Sequence, residues 1–126
     1  MKRLSYLCIG AALGAFAASA AGRMTTQDPV TVSPQYDTVR FENDRIRVLE
    51  YRLEPGEKEG THSHPPGVVY VLSDATLRTT RADEKASEVT GKAGEVLWRE
   101  STTHATENIG ANDARALIVD LKPCGR

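Results

Sequence analysis

The chain has 126 residues, which is enough for one domain and too few for two of ordinary size. Its 16 Lys and Arg against 17 Asp and Glu give a formal net charge of −1, without the basic excess that a nucleic acid partner requires. Two cysteines, Cys8 and Cys124, cannot supply a disulfide framework, so the stability of the domain must come from an apolar core.

Residues 1–20 have the pattern of a secretory signal peptide. Lys2 and Arg3 supply a positive start, an alanine-rich apolar run covers 4–18, and Ala18-Ser19-Ala20 offers small residues for cleavage. The run is shorter than the about 20 residues of a membrane span. We therefore expect a periplasmic or secreted protein with no stable membrane span after cleavage. There are two alternatives: residues 1–20 remain as an uncleaved anchor, or the protein starts at Met24 and stays in the cytoplasm.

The chain then divides into a leader and one domain. Residues 21–35 are polar and carry two prolines, which predicts an extended leader, and the domain follows at 36–122. No helical period of about 10–12 residues occurs in it. Instead, about seven or eight short β-type segments separated by turn residues predict an all-β sandwich or barrel. The clearest segments are 39–41, 45–53, 68–72, 77–81, 87–90, 95–99 and 114–121.

The three histidines of the chain are spaced as metal ligands. His62 and His64 lie two residues apart, so on a strand both side chains point to one face. His104 lies 40 residues after His64, where a neighbouring strand of a closed sheet brings it to the same ion. Imidazole is the commonest protein ligand for zinc and the later first-row metals. The alternative is a solvated loop for the pair and a surface position for His104.

These residues resemble the two motifs of the cupin family. The first motif corresponds to Gly56-x5-His62-x-His64 and the apolar strand at 68–72. The second corresponds to Gly94-Glu95-Val96-Leu97-Trp98 and to His104-x3-Asn108-Ile109-Gly110. The chain is most similar to short secreted cupins and to a small cupin of β-alanine degradation. The resemblance covers residues 37–121 and implies a cupin-type jelly-roll β-barrel whose mouth holds a divalent metal on His62, His64 and His104.

Two departures from the family pattern bear on function. The glutamate expected after the second histidine is replaced by Val68 or Val69, and the Pro-x-Gly turn before His104 is missing. A site of three neutral imidazoles favours Fe, Zn, Ni, Co or Cu over Mn and Mg. Cupins with three histidine ligands include iron-dependent dioxygenases, which implies a metal-dependent enzyme acting on a small molecule. The alternatives are a non-catalytic module that binds metal or a small ligand, and a degenerate barrel without metal.

Several further residues are candidates for the surroundings of this site. If strand parity continues through Pro65-Pro66, Tyr70 faces the histidines as a catalytic hydroxyl; otherwise it is a core tyrosine. Arg99 can meet an anionic substrate, and Asn108 is expected to hold a turn. Glu100 and Glu107 either support His104 or lie on the surface, and Trp98 is expected in the core. An exposed sheet edge also favours a homodimer.

Overall fold

In the part of the chain that the structure describes, the regular elements are nine β-strands and one short helix. The structure is a computed structural model that describes residues 27–124, so the predicted signal peptide at 1–20 lies outside the described part. Within residues 27–124 the elements are α1 (Pro29–Val32), β1 (Asp37–Glu42), β2 (Ile46–Leu53), β3 (Lys58–His64), β4 (Gly67–Val71), β5 (Ala75–Arg81), β6 (Ala86–Gly91), β7 (Val96–Arg99), β8 (Thr102–Asn108) and β9 (Ala114–Leu121). The all-β prediction is confirmed, and β3 and β8 are the strands that carry the histidines.

The predicted extended leader forms a short helix where it is described. Asp28 caps α1 by accepting a hydrogen bond from the backbone amide of Val30, and Pro29 occupies a first-turn position that needs no donor. Pro29 and Ser33 are both buried, so this segment is part of the domain. The extended conformation expected for residues 29–32 is therefore wrong, because the cap and the proline together favour a helical turn.

The strands form two antiparallel sheets that face each other. One sheet has five strands in the order β1-β2-β9-β4-β7, and the other has four in the order β3-β8-β5-β6. The strands β6 and β7 are the last in their respective sheets. This arrangement of two antiparallel layers is the jelly-roll architecture that the resemblance implies. In the described residues, no helix is long and apolar enough to cross a membrane.

The apolar core belongs to the five-stranded sheet. All of its buried hydrophobic residues lie on β2, β4 and β9, where alternate side chains point inward: Leu49, Tyr51, Leu53, Val71, Ala114, Ala116 and Ile118. Strand β2 is apolar on both faces and has no bulge in its pairing with β9, because the two strands pair in unbroken register from Ile46 to Leu53. Ile46 and Val48 simply lie on the outer face of the same sheet.

The outer face of the five-stranded sheet is also apolar. Residues directly opposite each other in an antiparallel ladder share a face. The register aligns one row of such residues across all five strands: Phe41, Val48, Val119, Val68 and Trp98. A second row aligns Leu117, Tyr70 and Val96, and the exposed fraction of Val96 reaches 67%. An apolar outer face therefore extends across most of this sheet.

Candidate metal centre

The ladder between β3 and β8 brings the three histidines together. His62 is directly opposite His104, and His64 is opposite Thr102, so all three imidazoles lie on the inner face. Pairing shifts by one residue between Glu59 and His62, which places Glu59 on that inner face as well. The second motif folds as a strand from Thr102 despite its missing Pro-x-Gly turn.

The imidazole nitrogens converge closely enough to bind one ion. The Nε2 atoms of His62 and His104 are 3.1 Å apart, and one ligand atom from each histidine lies within 4.8 Å of the others. Nitrogen ligands at the about 2.0–2.1 Å typical of zinc are about 3.3 Å apart in a tetrahedron, close to the shortest of these separations. Among residues 27–124, this cluster contains no carboxylate. The three histidines therefore form a site suited to a divalent metal.

The protonation of the histidines also suits metal binding. His62 Nδ1 lies 2.8 Å from the carbonyl oxygen of Gly60, which can only accept, so Nδ1 donates and Nε2 is left with its lone pair. Burial lowers the pKa of His62. Burial and the neighbouring histidines lower the pKa of His104 to about 3. Neutral imidazoles at physiological pH need no deprotonation before they bind a cation.

Two buried carboxyl groups lie behind His62. Glu59 Oε1 is 3.4 Å from His62 Nδ1, and the carboxyl group of Glu59 also contacts Asp37 of β1. Burial and the adjacent Asp37 raise the pKa of Glu59 to about 9, so the pair holds one proton near neutral pH. Glu59 and Asp37 therefore form a buried polar contact between the two sheets, next to the histidines.

A third carboxylate, Asp120 of β9, lies behind His64. Asp120 Oδ1 is 3.4 Å from His64 Nδ1, although without hydrogen-bond geometry, and Asp120 accepts hydrogen bonds from Arg47 at 3.2 Å and Arg99 at 2.5 Å. Although burial opposes ionisation, His64 and Arg99 hold the pKa of Asp120 below its usual value. Gly67 stands between Asp120 and Arg99 in the register, and a Cβ there would be 2.0 Å from the Val119 carbonyl oxygen.

A cavity of about 800 Å³ adjoins the histidines. Both sheets line it, and its walls combine the three imidazoles with aliphatic side chains such as Val69, Leu77, Val89 and Leu97. A volume of this size suits a small organic ligand, for which pockets of about 300–1,000 Å³ are typical. The site can therefore present metal and ligand to each other inside one cavity.

Tyr70 does not lie where the sequence placed it. Its side chain is 41% exposed on the outer face, whereas its neighbours Val69 and Val71 line the cavity. The predicted shared face is wrong because Pro65-Pro66 joins strands of different sheets, so the alternation of β3 does not continue into β4. A catalytic role for Tyr70 has no support from this position. Trp98, expected in the core, is 57% exposed and donates to Glu100 at 2.7 Å.

The other predicted polar residues have structural partners. Glu107 accepts a hydrogen bond from Arg78 on the outer side of the barrel, away from His104. Arg99 is engaged by Asp120 and by the carbonyl oxygen of Pro65, so it is not the free cation expected for an anionic substrate. Asn108 confirms its predicted role, because its amide donates to the carbonyl oxygens of Leu53 and Asn112 and its Oδ1 accepts from Gly110.

Comparison with known proteins identifies the fold. No protein-family model matches the chain, and no curated protein does. A cupin domain from Bordetella pertussis Tohama I superposes with a TM-score of 0.64 at 24% sequence identity, covering 69% of this chain and 92% of that one. A conserved protein with a double-stranded β-helix domain from Klebsiella pneumoniae gives a TM-score of 0.54 at 19% identity, and the match covers 74% of this chain and 84% of that one. A cupin superfamily protein from Desulfitobacterium hafniense DCB-2 gives a TM-score of 0.53 at 13% identity, with 69% of this chain and 76% of that one covered.

These likenesses concern the fold, because all three identities are low. The narrower similarity to secreted cupins or to a β-alanine cupin stays a prediction. The double layer of antiparallel strands and the superposition over most of the described residues agree with one another. The protein therefore has the fold of a cupin domain.

Proposed function

We propose that this protein is a metal-dependent enzyme that acts on a small organic molecule. His62, His64 and His104 hold one Fe, Zn, Ni, Co or Cu ion, and the adjoining cavity receives the substrate. The observation that carries the proposal is the convergence of three imidazoles on the wall of an about 800 Å³ cavity. When bound, the metal supplies a Lewis acid with coordination positions open to small molecules.

The residues of the chain contribute binding and orientation. Gly60 fixes the tautomer of His62 and leaves its Nε2 toward His104, while Asp120 Oδ1 lies 3.4 Å from His64 Nδ1. Aliphatic side chains in both sheets give the substrate an apolar surface next to the histidines. A single ion without a carboxylate ligand retains its full positive charge toward the substrate.

Metal analysis of the purified protein tests the site. We expect one equivalent of a transition metal in the wild type. His62→Ala is expected to weaken zinc binding by at least about 100-fold, since one of three imidazoles carries roughly a third of the about 10–16 kcal/mol of structural zinc sites. Ser63→Ala is the matched control, because Ser63 is on the same strand with its side chain on the other face, 2.8 Å from Thr103 Oγ1.

Circular dichroism shows whether the His62→Ala variant keeps its fold. The same substoichiometric metal content in the wild type, His62→Ala and Ser63→Ala contradicts the proposal and favours a cupin without metal.

An iron-dependent dioxygenase is the specific reaction class that we propose for the first assays. The protein is loaded with Fe(II) without oxygen and then exposed to oxygen with a panel of thiols and diketones. Substrate-dependent oxygen uptake that His62→Ala abolishes is the expected result. Absence of uptake over the panel contradicts the dioxygenase.

A non-catalytic binding module is the second candidate. It is favoured by the position of Tyr70, whose exposed side chain leaves the predicted acid outside the cavity. Stoichiometric metal and ligand binding without turnover distinguishes this module from the enzyme.

We also propose that the protein is exported. The support is the order of charged, apolar and small residues within 1–20. Intact-mass measurement of protein exported by its native host should show the loss of about 20 residues. A full-length mass contradicts a cleaved signal peptide.

We further propose a homodimer formed through the apolar outer face of the five-stranded sheet. The row from Phe41 to Trp98 and the 67% exposed Val96 support it, because exposed apolar patches of this kind mark interaction surfaces. Light scattering should give a dimer for the wild type and a monomer for Val96→Lys. Thr90→Lys, on the outer face of the other sheet, is the control and should stay dimeric. A monomeric wild type contradicts the proposal.

A further inference from the structure

Arg81 lies in line with two of the metal ligands. In the four-stranded sheet His104 is opposite His62 on one side and opposite Arg81 on the other. Because paired residues share a face, the Arg81 side chain emerges on the cavity side next to His104. Arg81 and both histidines line the cavity. Arg81, His104 and His62 therefore form one row across neighbouring strands, with the guanidinium group at one end and the histidines at the other.

Arg81 is the cavity arginine without an ionic partner in the described residues. Three arginines line the cavity. Arg99 is bound by Asp120, and Arg115 lies 3.6 Å from Glu50. No carboxylate of residues 27–124 comes within 4.0 Å of the Arg81 guanidinium.

The acids in the cavity wall are committed elsewhere. Asp83 accepts the backbone amide of Lys85 in the turn after β5, and Glu100 accepts the indole N–H of Trp98. Glu59 lies behind the ring of His62, with Oε1 3.4 Å from Nδ1. Arg81 is therefore the charged side chain that the β5–β8 ladder sets beside His104 on the cavity side.

Four aliphatic side chains form an apolar part of the cavity wall. Leu77 and Val89 are paired across β5 and β6, and Val69 is paired with Leu97 across β4 and β7. These four residues line the cavity from both sheets. A ligand gains affinity by packing an apolar body against these four side chains.

We propose that the substrate is an organic anion with an apolar body, whose oxyanion binds Arg81 while its body lies against the aliphatic wall. The presence of a metal beside this ligand rests on the proposed function, whereas the contacts of the ligand with Arg81 and the aliphatic side chains do not. A guanidinium binds carboxylate oxygens through two parallel hydrogen bonds, which fixes orientation as well as position. Arg81 would thus hold the ligand at a set distance from the histidines.

Calorimetric titration of the purified protein with hexanoate, hexanamide and acetate tests the proposal, in zinc-loaded and metal-free samples. Charge-assisted contacts of about 1.5–3 kcal/mol predict that hexanoate binds about 10- to 100-fold more tightly than hexanamide. Hexanoate should also bind at least about tenfold more tightly than acetate, because its extra methylenes reach the aliphatic wall.

Arg81→Gln should remove the preference for hexanoate over hexanamide and leave the zinc content unchanged. Arg78→Gln is the matched control, since Arg78 is on the same strand, faces outward and binds Glu107. It should behave as the wild type.

The outcomes separate the two proposals. Equal affinity for hexanoate and hexanamide in the wild type, binding of neither, or a preference that survives Arg81→Gln overturns the anion site. Failure of the wild type to bind zinc overturns the metal site, while the metal-free titrations still decide the role of Arg81.

Discussion

The two sheets of the barrel divide stability and chemistry between them. The buried hydrophobic residues all lie on the five-stranded sheet, whereas β3 and β8 of the four-stranded sheet carry His62, His64 and His104. The four-stranded sheet has buried polar residues such as Thr106 and Asn108 where its partner has leucine, alanine and isoleucine. The metal ligands can therefore be changed with little loss of apolar burial, and the core can be changed without touching a ligand.

The division is not complete, because Asp120 connects the two functions. It belongs to β9 of the five-stranded sheet, yet it lies beside His64 and is 2% exposed. Its hydrogen bonds to Arg47 and Arg99 join strands β2, β9 and β7. Substitutions are therefore expected to differ in whether they change stability, metal binding or both.

Asp120→Asn should have the largest effect, on both stability and metal binding. Removing the charge leaves two largely buried guanidinium groups without their shared partner, at a cost of about 3 kcal/mol in the free energy of unfolding. Metal affinity should fall about 10- to 100-fold because His64 loses its oriented neighbour. Chemical denaturation and zinc titration measure the two effects.

Asp113→Asn is the control for Asp120→Asn, since Asp113 also binds an arginine but is 35% exposed. It should change the free energy of unfolding by less than about 1 kcal/mol. If Asp120→Asn lowers stability without lowering zinc affinity, Asp120 contributes to the fold but not to metal binding.

Leu53→Ala should affect stability alone. Leu53 is fully buried on β2, and such truncations cost about 2–5 kcal/mol, which lowers the melting temperature by about 10 °C or more. Zinc affinity measured below the transition should equal that of the wild type. Leu121→Ala, on the same sheet but 38% exposed, is the control and should cost less than about 1 kcal/mol. An equal loss in the free energy of unfolding for both variants would contradict the position of Leu53 in the core.

Glu59→Gln should have the smallest effect, visible in the pH dependence of stability of the metal-free protein. The pKa of Glu59 is raised to about 9 in the folded state, so its protonation stabilises the fold fully below the ordinary pKa of 4.5 and less as pH rises toward 9. Over that range the loss is at most about 1.4 kcal/mol per pH unit.

The wild type should therefore lose more stability than Glu59→Gln between pH 6 and about 8, as thermal denaturation at each pH would show. Glu107→Gln on the outer side should keep the wild-type slope. Parallel curves for all three proteins contradict a shared proton between Glu59 and Asp37.

The sequence predicts the fold and the clustering of the three histidines better than it predicts the residues around them. Two histidines at i and i+2 share a face on any regular strand, so the pairing of His62 and His64 follows from spacing alone. Glu59 escapes this rule because the shift in β3 pairing changes its parity relative to His62. Asp120 comes from the other sheet, and no local pattern relates it to His64.

The error at Tyr70 has a similar origin. Alternation predicts faces only within one strand, and the Pro65-Pro66 corner passes the chain from one sheet to the other. Arg81 is likewise recognisable only through the ladder that sets it beside His104. Positions fixed by local period are predictable, whereas positions fixed by pairing between distant strands require the structure.

The pairing of His62 with His104 also sets the order of events during folding. The two residues are 42 positions apart, and the ladder that joins them forms only after the intervening strands have been enclosed in a loop. Of the three histidines, local spacing keeps only His62 and His64 together in the unfolded chain. For the metal site that we propose, high-affinity binding therefore requires the assembled barrel, and an ion would favour the folded chain over the unfolded one.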